Sequence, residues 1–145
     1  MTAAMRPWTG AMDTNIVRLI EDAIRSRGGH ARAAYCFLRC GLERATAAVH
    51  GPEPGEGPRH VSGQQLCWAL RDLALETWGP LAALVLRRWN IRTTRDFGEM
   101  VFLLIELGLL GKQESDRIED FDHVFDLDDA LSRYEIVLDV ATADE

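Results

Sequence analysis

The sequence predicts an all-α protein, a compact bundle of five to seven helices. Three observations carry that prediction. Apolar residues recur at three- and four-residue spacing through most of the chain, the period of a helix face and not of a strand. Capping residues stand ahead of those stretches, and glycines close them. Hydrophobic residues make up 47% of the 145, enough for a core at ordinary single-domain length.

The elements follow in order. Asp13 or Thr14 caps a first helix whose inner face is Ile16, Leu19, Ile20, Ala23 and Ile24, and Gly28 and Gly29 end it. A second helix covers 31–49, with Ala34, Tyr35, Leu38, Leu42, Ala45 and Val49 on one side. Residues 51–59 hold three prolines and three glycines, which forbid helix. They make a linker loop between an N-terminal helical pair at 10–50 and a helical core at 60–135.

Ser62 and Gln65 have the spacing of a capping box for a third helix, with Leu66, Leu70, Leu73, Ala74 and Thr77 facing inward. Trp78-Gly79 ends it. Pro80 suits the first position of a fourth helix bearing Leu81, Leu84, Val85 and Trp89. Thr93 and Asp96 repeat the capping spacing before a fifth helix with Phe97, Met100, Val101, Leu104 and Ile105, and Gly108 is a left-handed stop. Ser115 and Asp126 are caps for two short helices, the second over 127–134. The weak alternation over 135–140 suits either a short C-terminal strand or a docked tail. The whole reads as one helical domain over 1–145.

Charge is unevenly spread. Residues 1–95 carry 13 arginines and 8 acids, a surplus of five positive charges. Residues 96–145 carry 3 basic residues and 15 acids, a surplus of twelve negative ones. Either the acidic third is a solvated face that folds back on the arginine-bearing helices, or each pole meets its own partner. The net charge of −7 argues against a nucleic-acid coat or a membrane-surface protein. Lys112 is the one lysine against fifteen arginines, which removes most candidates for amine nucleophile chemistry. The longest apolar run, 100–105 continuing past Glu106 to Leu110, is far below the roughly 20 residues a bilayer needs. Three cysteines without a secretion signal suggest reduced thiols in a cytoplasmic protein.

The constellations that carry chemistry are weak. Cys36 and Cys40, four apart on the second helix, offer two zinc ligands that His30, His50, His60 or Cys67 would have to complete. No second cysteine pair exists, so the reading is buried, small apolar cysteines, with no metal and no cofactor. The acidic segment from Asp120 to Asp129 fails both registers of a calcium loop, because position five falls on Val124 or Ala130. Asp96 with Glu99, or Glu114 with Asp116, are carboxylate pairs that no nucleophile accompanies. Arg87, Arg88, Arg92 and Arg95 surround Trp89, and the order of helix four, a short turn and helix five, which looks like a helix-turn-helix or winged helix, invites a nucleic-acid reading. The second helix of that pair has no basic residue from Asp96 onward, so phosphate would be repelled.

Several strings within 60–130 resemble a bacterial family of unknown function, mainly planctomycete and verrucomicrobial. They are His60-Val-Ser-Gly-Gln-Gln-Leu66, Arg71-Asp-Leu-Ala-Leu75, Trp78-Gly-Pro-Leu-Ala82 and Val85-Leu-Arg-Arg-Trp-Asn-Ile91. Thr94-Arg-Asp-Phe-Gly-Glu-Met-Val-Phe102, Leu107-Gly-Leu-Leu110, Asp116 and Glu119-Asp-Phe121 continue them, and Ala33-Ala-Tyr-Cys-Phe37 corresponds to a further stretch. Asn90 stands where the resemblance anticipates a glycine. The resemblance implies no activity. It implies a shared motif of Trp89, Arg92, Asp96, Phe97, Gly98 and Asp116, in which Trp89 and Phe97 fill the core, Asp96 caps and Gly98 permits close packing.

The functional expectation is a non-enzymatic interaction module. Arg88, Trp89, Arg92, Arg95, Asp96 and Asp116 would bind a protein partner or a second copy, in a groove between helices three, four and five rimmed by arginine and carboxylate. The alternatives are a helix-turn-helix nucleic-acid regulator and an enzyme with a carboxylate site near Asp96, Glu99 and Asp116.

Overall fold

Residues 14–51 and 60–132 are described by the structure, a computed structural model. The expected linker at 52–59 and the expected strand or tail at 135–140 lie outside them. Six α-helices follow in order: α1 Thr14–Arg27, α2 Arg32–His50, α3 Gly63–Trp78, α4 Ala82–Arg88, α5 Thr94–Glu106 and α6 Leu127–Ser132. Two 3-10 turns, Gly79–Leu81 and Ile118–Phe121, stand between them. The fold is all-α, with no strand among the described residues.

Local chemistry explains the boundaries. Ser62 Oγ accepts from the Gln65 amide at 3.1 Å, and Gln65 Oε1 accepts from the Ser62 amide at 2.9 Å, a complete capping box on α3. Asp96 Oδ2 accepts from the amides of Arg92 and Thr93 at 2.7 and 3.0 Å, satisfying donors that α5 leaves open. Asp126 Oδ1 accepts from the Asp129 amide at 2.9 Å and starts α6. At Ser115 the expected helix is absent. Asp116 Oδ2 instead takes the Gln113 amide at 2.8 Å and closes a turn, so the chain reaches only a 3-10 turn at Ile118–Phe121.

Two helix ends use the same device. After α5, Leu109 donates to the Leu104 carbonyl and Gly108 to that of Ile105, with Gly108 at φ +74°. After α4, Ile91 donates to Leu86 and Asn90 to Arg87, with Asn90 at φ +62°. Asparagine therefore occupies the left-handed position where the resemblance anticipates glycine.

The core is built on α2, α3 and α5. Tyr35, Leu38 and Leu42 meet Leu66 and Leu70 of α3 and Phe97, Met100 and Leu104 of α5, all at most 2% exposed. Glycines set the approach. A Cβ on Gly41 would lie 2.2 Å from Leu70 Cδ2, and one on Gly98 would lie 2.7 Å from Phe121 Cγ. At the outer edge Trp78 and Trp89 meet edge to face at 5.3 Å, with Phe37 5.3 and 5.8 Å from the two rings.

Several expected faces are rotated. Cys36 and Cys40 are exposed, and only Cys67 is buried. Each lies two residues, about 200°, from the buried Ala34 and Leu38, so the pair sits opposite the core stripe of α2. Leu81 and Leu84 are 59% and 64% exposed, because Pro80 opens a 3-10 turn and α4 then turns Ala82 and Leu86 inward. Leu19, Val49 and Thr77 likewise lie outside narrower stripes than the periodicity suggests.

Candidate functional site

The arginine and carboxylate rim exists, in a different place from the one expected. A groove of about 500 Å³ runs between the first turn of α5 and the segment entering α6, not between α3, α4 and α5. Arg92 and Arg95 stand on one side, Asp122 and Asp126 on the other, with Thr94, Phe125 and Leu127 beneath. Thr94 holds the two walls together: its buried hydroxyl donates to the Phe121 carbonyl at 2.6 Å and accepts from the Val124 amide at 3.3 Å.

The two rim arginines differ in state. Arg95 Nη1 donates to both oxygens of Asp122, at 2.8 and 2.9 Å, and that carboxylate holds its guanidinium above the ordinary range. Arg92 is exposed, and its side chain has one weak contact, Nε to Asn90 Oδ1 at 3.5 Å. Arg88 is exposed at the end of α4, in line with Leu81 and Leu84 at helical spacing.

Of the remaining expected site residues, Trp89 is half-buried in the aromatic cluster and Asp96 spends one oxygen on capping. Asp116 lies away from the groove, in a separate depression with His60, Ser62, Gln65, Gln113 and Asp120. Arg92 and Arg95 are thus brought together, and Asp116 is not. Asp122 and Asp126 belong to the rim but were not expected there. The acidic run around them was read as capping and solvated charge, and no local pattern picks out which carboxylates face α5.

A second concavity, about 250 Å³, opens where the α1–α2 junction faces α5. It is lined by Arg27, His30, Tyr35, Glu99 and Glu106, among others. Arg27 and Glu106 form an ion pair across it. His30 is 5% exposed and its Nδ1 lies 3.0 Å from the Trp89 carbonyl. A carbonyl only accepts, so Nδ1 carries the proton and Nε2 presents its lone pair. Tyr35 is 1% exposed, and its hydroxyl has no hydrogen-bond partner among the described residues. Burial, and then the Glu99 carboxylate, push the Tyr35 hydroxyl up to about 12.

The thiols hold no such arrangement. Burial pushes Cys67 up to about 12, which makes it an inert core thiol. Cys40 is also raised, by burial first and then by Glu43. Among the described residues the group with metal-ligand geometry is His30, Asp96 and Glu99, and it contains no cysteine. No helix among them is long and apolar enough to cross a membrane. Comparison with known proteins gives no match: no family model, curated protein or solved structure is similar to this chain.

Proposed function

We propose that this protein is a non-catalytic docking module, and that its groove takes a carboxylate-bearing segment of a partner protein. The observation that carries the reading is the unequal state of the two rim arginines. Arg95 is neutralised in place by Asp122, whereas Arg92, three residues away on the same rim, pairs with no carboxylate among the described residues. Arginine is suited to planar, bidentate capture of a carboxylate. Phe125 and Leu127 supply apolar surface beneath it, and Asp126 at the far rim fixes polarity by repelling a reversed ligand.

The nucleic-acid alternative is weaker on the same geometry. The helix that would enter a groove, α5, carries Asp96, Glu99 and Glu106, and its one arginine, Arg95, is already paired with Asp122.

The test begins with affinity purification of the tagged full chain and identification of any stoichiometric companion by mass spectrometry. Titration of that companion then compares the native chain with Arg92→Glu. Charge reversal at Arg92 is expected to weaken binding about tenfold or more, with the helical circular-dichroism signal unchanged. Equal affinity for both chains would remove the rim from the account.

A further inference from the structure

His30, Asp96 and Glu99 come from two parts of the chain that sequence distance separates by more than sixty residues. His30 ends the turn between α1 and α2, and the two carboxylates lie one helical turn apart on α5. One potential ligand atom from each falls within 4.8 Å of the other two. All three side chains still have a lone pair to give. Asp96 uses Oδ2 for the amides of Arg92 and Thr93 and leaves Oδ1 without a hydrogen bond. Glu99 makes no hydrogen bond or ion pair among the described residues and is exposed, so its carboxylate can move.

His30 is oriented as metal-binding histidines are. One ring nitrogen is tied to a backbone carbonyl, which fixes the tautomer and turns the other nitrogen outward as a ligand. A second observation points to the same place. The Tyr35 side chain lines the cavity that His30 and Glu99 share, and its hydroxyl has no hydrogen-bond partner among the described residues. A water held on a cation there would supply one.

We propose that His30, Asp96 and Glu99 bind one divalent cation of the zinc class, tying the α1–α2 junction to α5. One imidazole and two carboxylates form a mixed nitrogen and oxygen donor set that suits zinc and disfavours calcium, which takes oxygen ligands. Tetrahedral zinc with bonds of about 2.0–2.2 Å holds its ligand atoms roughly 3.4 Å apart, so the exposed Glu99 side chain has to swing inward by about an ångström to close the site. Three protein ligands leave a fourth position for water facing the cavity. The Arg92 groove has no part in this site, so either reading can fail alone.

The exposed Cys36 and Cys40 would themselves attract zinc, so the test uses the full chain carrying Cys36→Ser and Cys40→Ser. Competition against a chromogenic chelator measures zinc affinity and stoichiometry. One zinc per chain is expected, and adding Glu99→Gln is expected to weaken it about tenfold or more. Glu99 is exposed and makes no hydrogen bond among the described residues, so that variant keeps the fold, which circular dichroism checks. Cobalt bound to the serine-substituted chain should show no thiolate charge-transfer absorption. Zinc should also raise the melting temperature, and that rise should vanish in Glu99→Gln. The proposal is overturned if the serine-substituted chain binds no zinc at micromolar concentration, or if Glu99→Gln binds it as tightly.

Discussion

Asn90 occupies a backbone position that most residues avoid. Its φ of +62° completes the turn in which Ile91 and Asn90 donate to the carbonyls of Leu86 and Arg87, and so delivers the fully buried Ile91 into the core. Asparagine tolerates this conformation, and a β-branched residue does not. Asn90→Val should therefore cost about 1–2 kcal/mol of stability, and Asn90→Gly should be neutral or slightly stabilising. Urea denaturation of the two variants checks the difference, and equal midpoints would show that the turn does not depend on this backbone. The sequence carried a trace of this feature, as an asparagine where glycine was anticipated. It offered His30 only as one of four residues that could complete a zinc site on Cys36 and Cys40, not as a neighbour of Asp96 and Glu99. The histidine acquires its orientation from the Trp89 carbonyl, fifty-nine residues away, and no spacing rule links them. Cys36 and Cys40 were misread because their four-residue spacing fixes only that they share a side, not which side faces the core.

At the scale of the element, the caps and stops were legible because they are local. Ser62 with Gln65, Asp96 ahead of α5, and Gly108 after it each depend on residues within one turn of the boundary. Helix α4 was less legible, since its inner face follows from where the 3-10 turn at Gly79–Leu81 leaves the chain. The packing of α5 on the Ile118–Phe121 turn gives a prediction with a contested sign. Gly98→Ala gains about 1 kcal/mol in helix propensity. It also places a methyl group 2.7 Å from Phe121 Cγ and 2.8 Å from Phe121 Cβ. Those atoms lie at the base of the ring and cannot swing aside as a side-chain tip would. Phe121 is buried, and Gly63 closes on its far edge with a Cβ position 3.1 Å from Cε2. Overpacking of this kind costs about 1–3 kcal/mol, so the variant should be net destabilised. A Gly98→Ala chain that melts higher than the native one would show that α5 and Phe121 are less tightly joined than this geometry requires.

Across the described residues, carboxylates of the acidic third meet the arginine-bearing helices, as one of the two charge readings anticipated. Arg27 pairs with Glu106, Arg87 with Asp128 and Arg95 with Asp122. Among the described residues Arg92 forms no such pair. These pairs are largely solvent-exposed and contribute about 0–1 kcal/mol each, so they orient the acidic segment more than they stabilise it.

The pH dependence of stability on the alkaline side rests on other groups. Arginine stays charged throughout that range, whereas two buried acids do not release their protons when folded. Tyr35 is raised from 10.0 to about 12 and Cys67 from 9.0 to about 12, both mainly by burial. The unfolded chain ionises at the ordinary values and the folded chain does not, so protons are lost only on unfolding. Stability is therefore intact below pH 9 and falls as pH rises through the window that closes near 12. Each group costs about 1.4 kcal/mol per pH unit inside its own window. Urea unfolding followed across that range should show the decline steepening once tyrosine joins cysteine. Tyr35→Phe should flatten only the upper part, and Cys67→Ala the onset. If both substitutions left the slope untouched, the alkaline loss would lie with Cys40, the other thiol raised on folding, and not with the exposed ion pairs. Their small individual energies and non-titrating arginines give them no means of producing it.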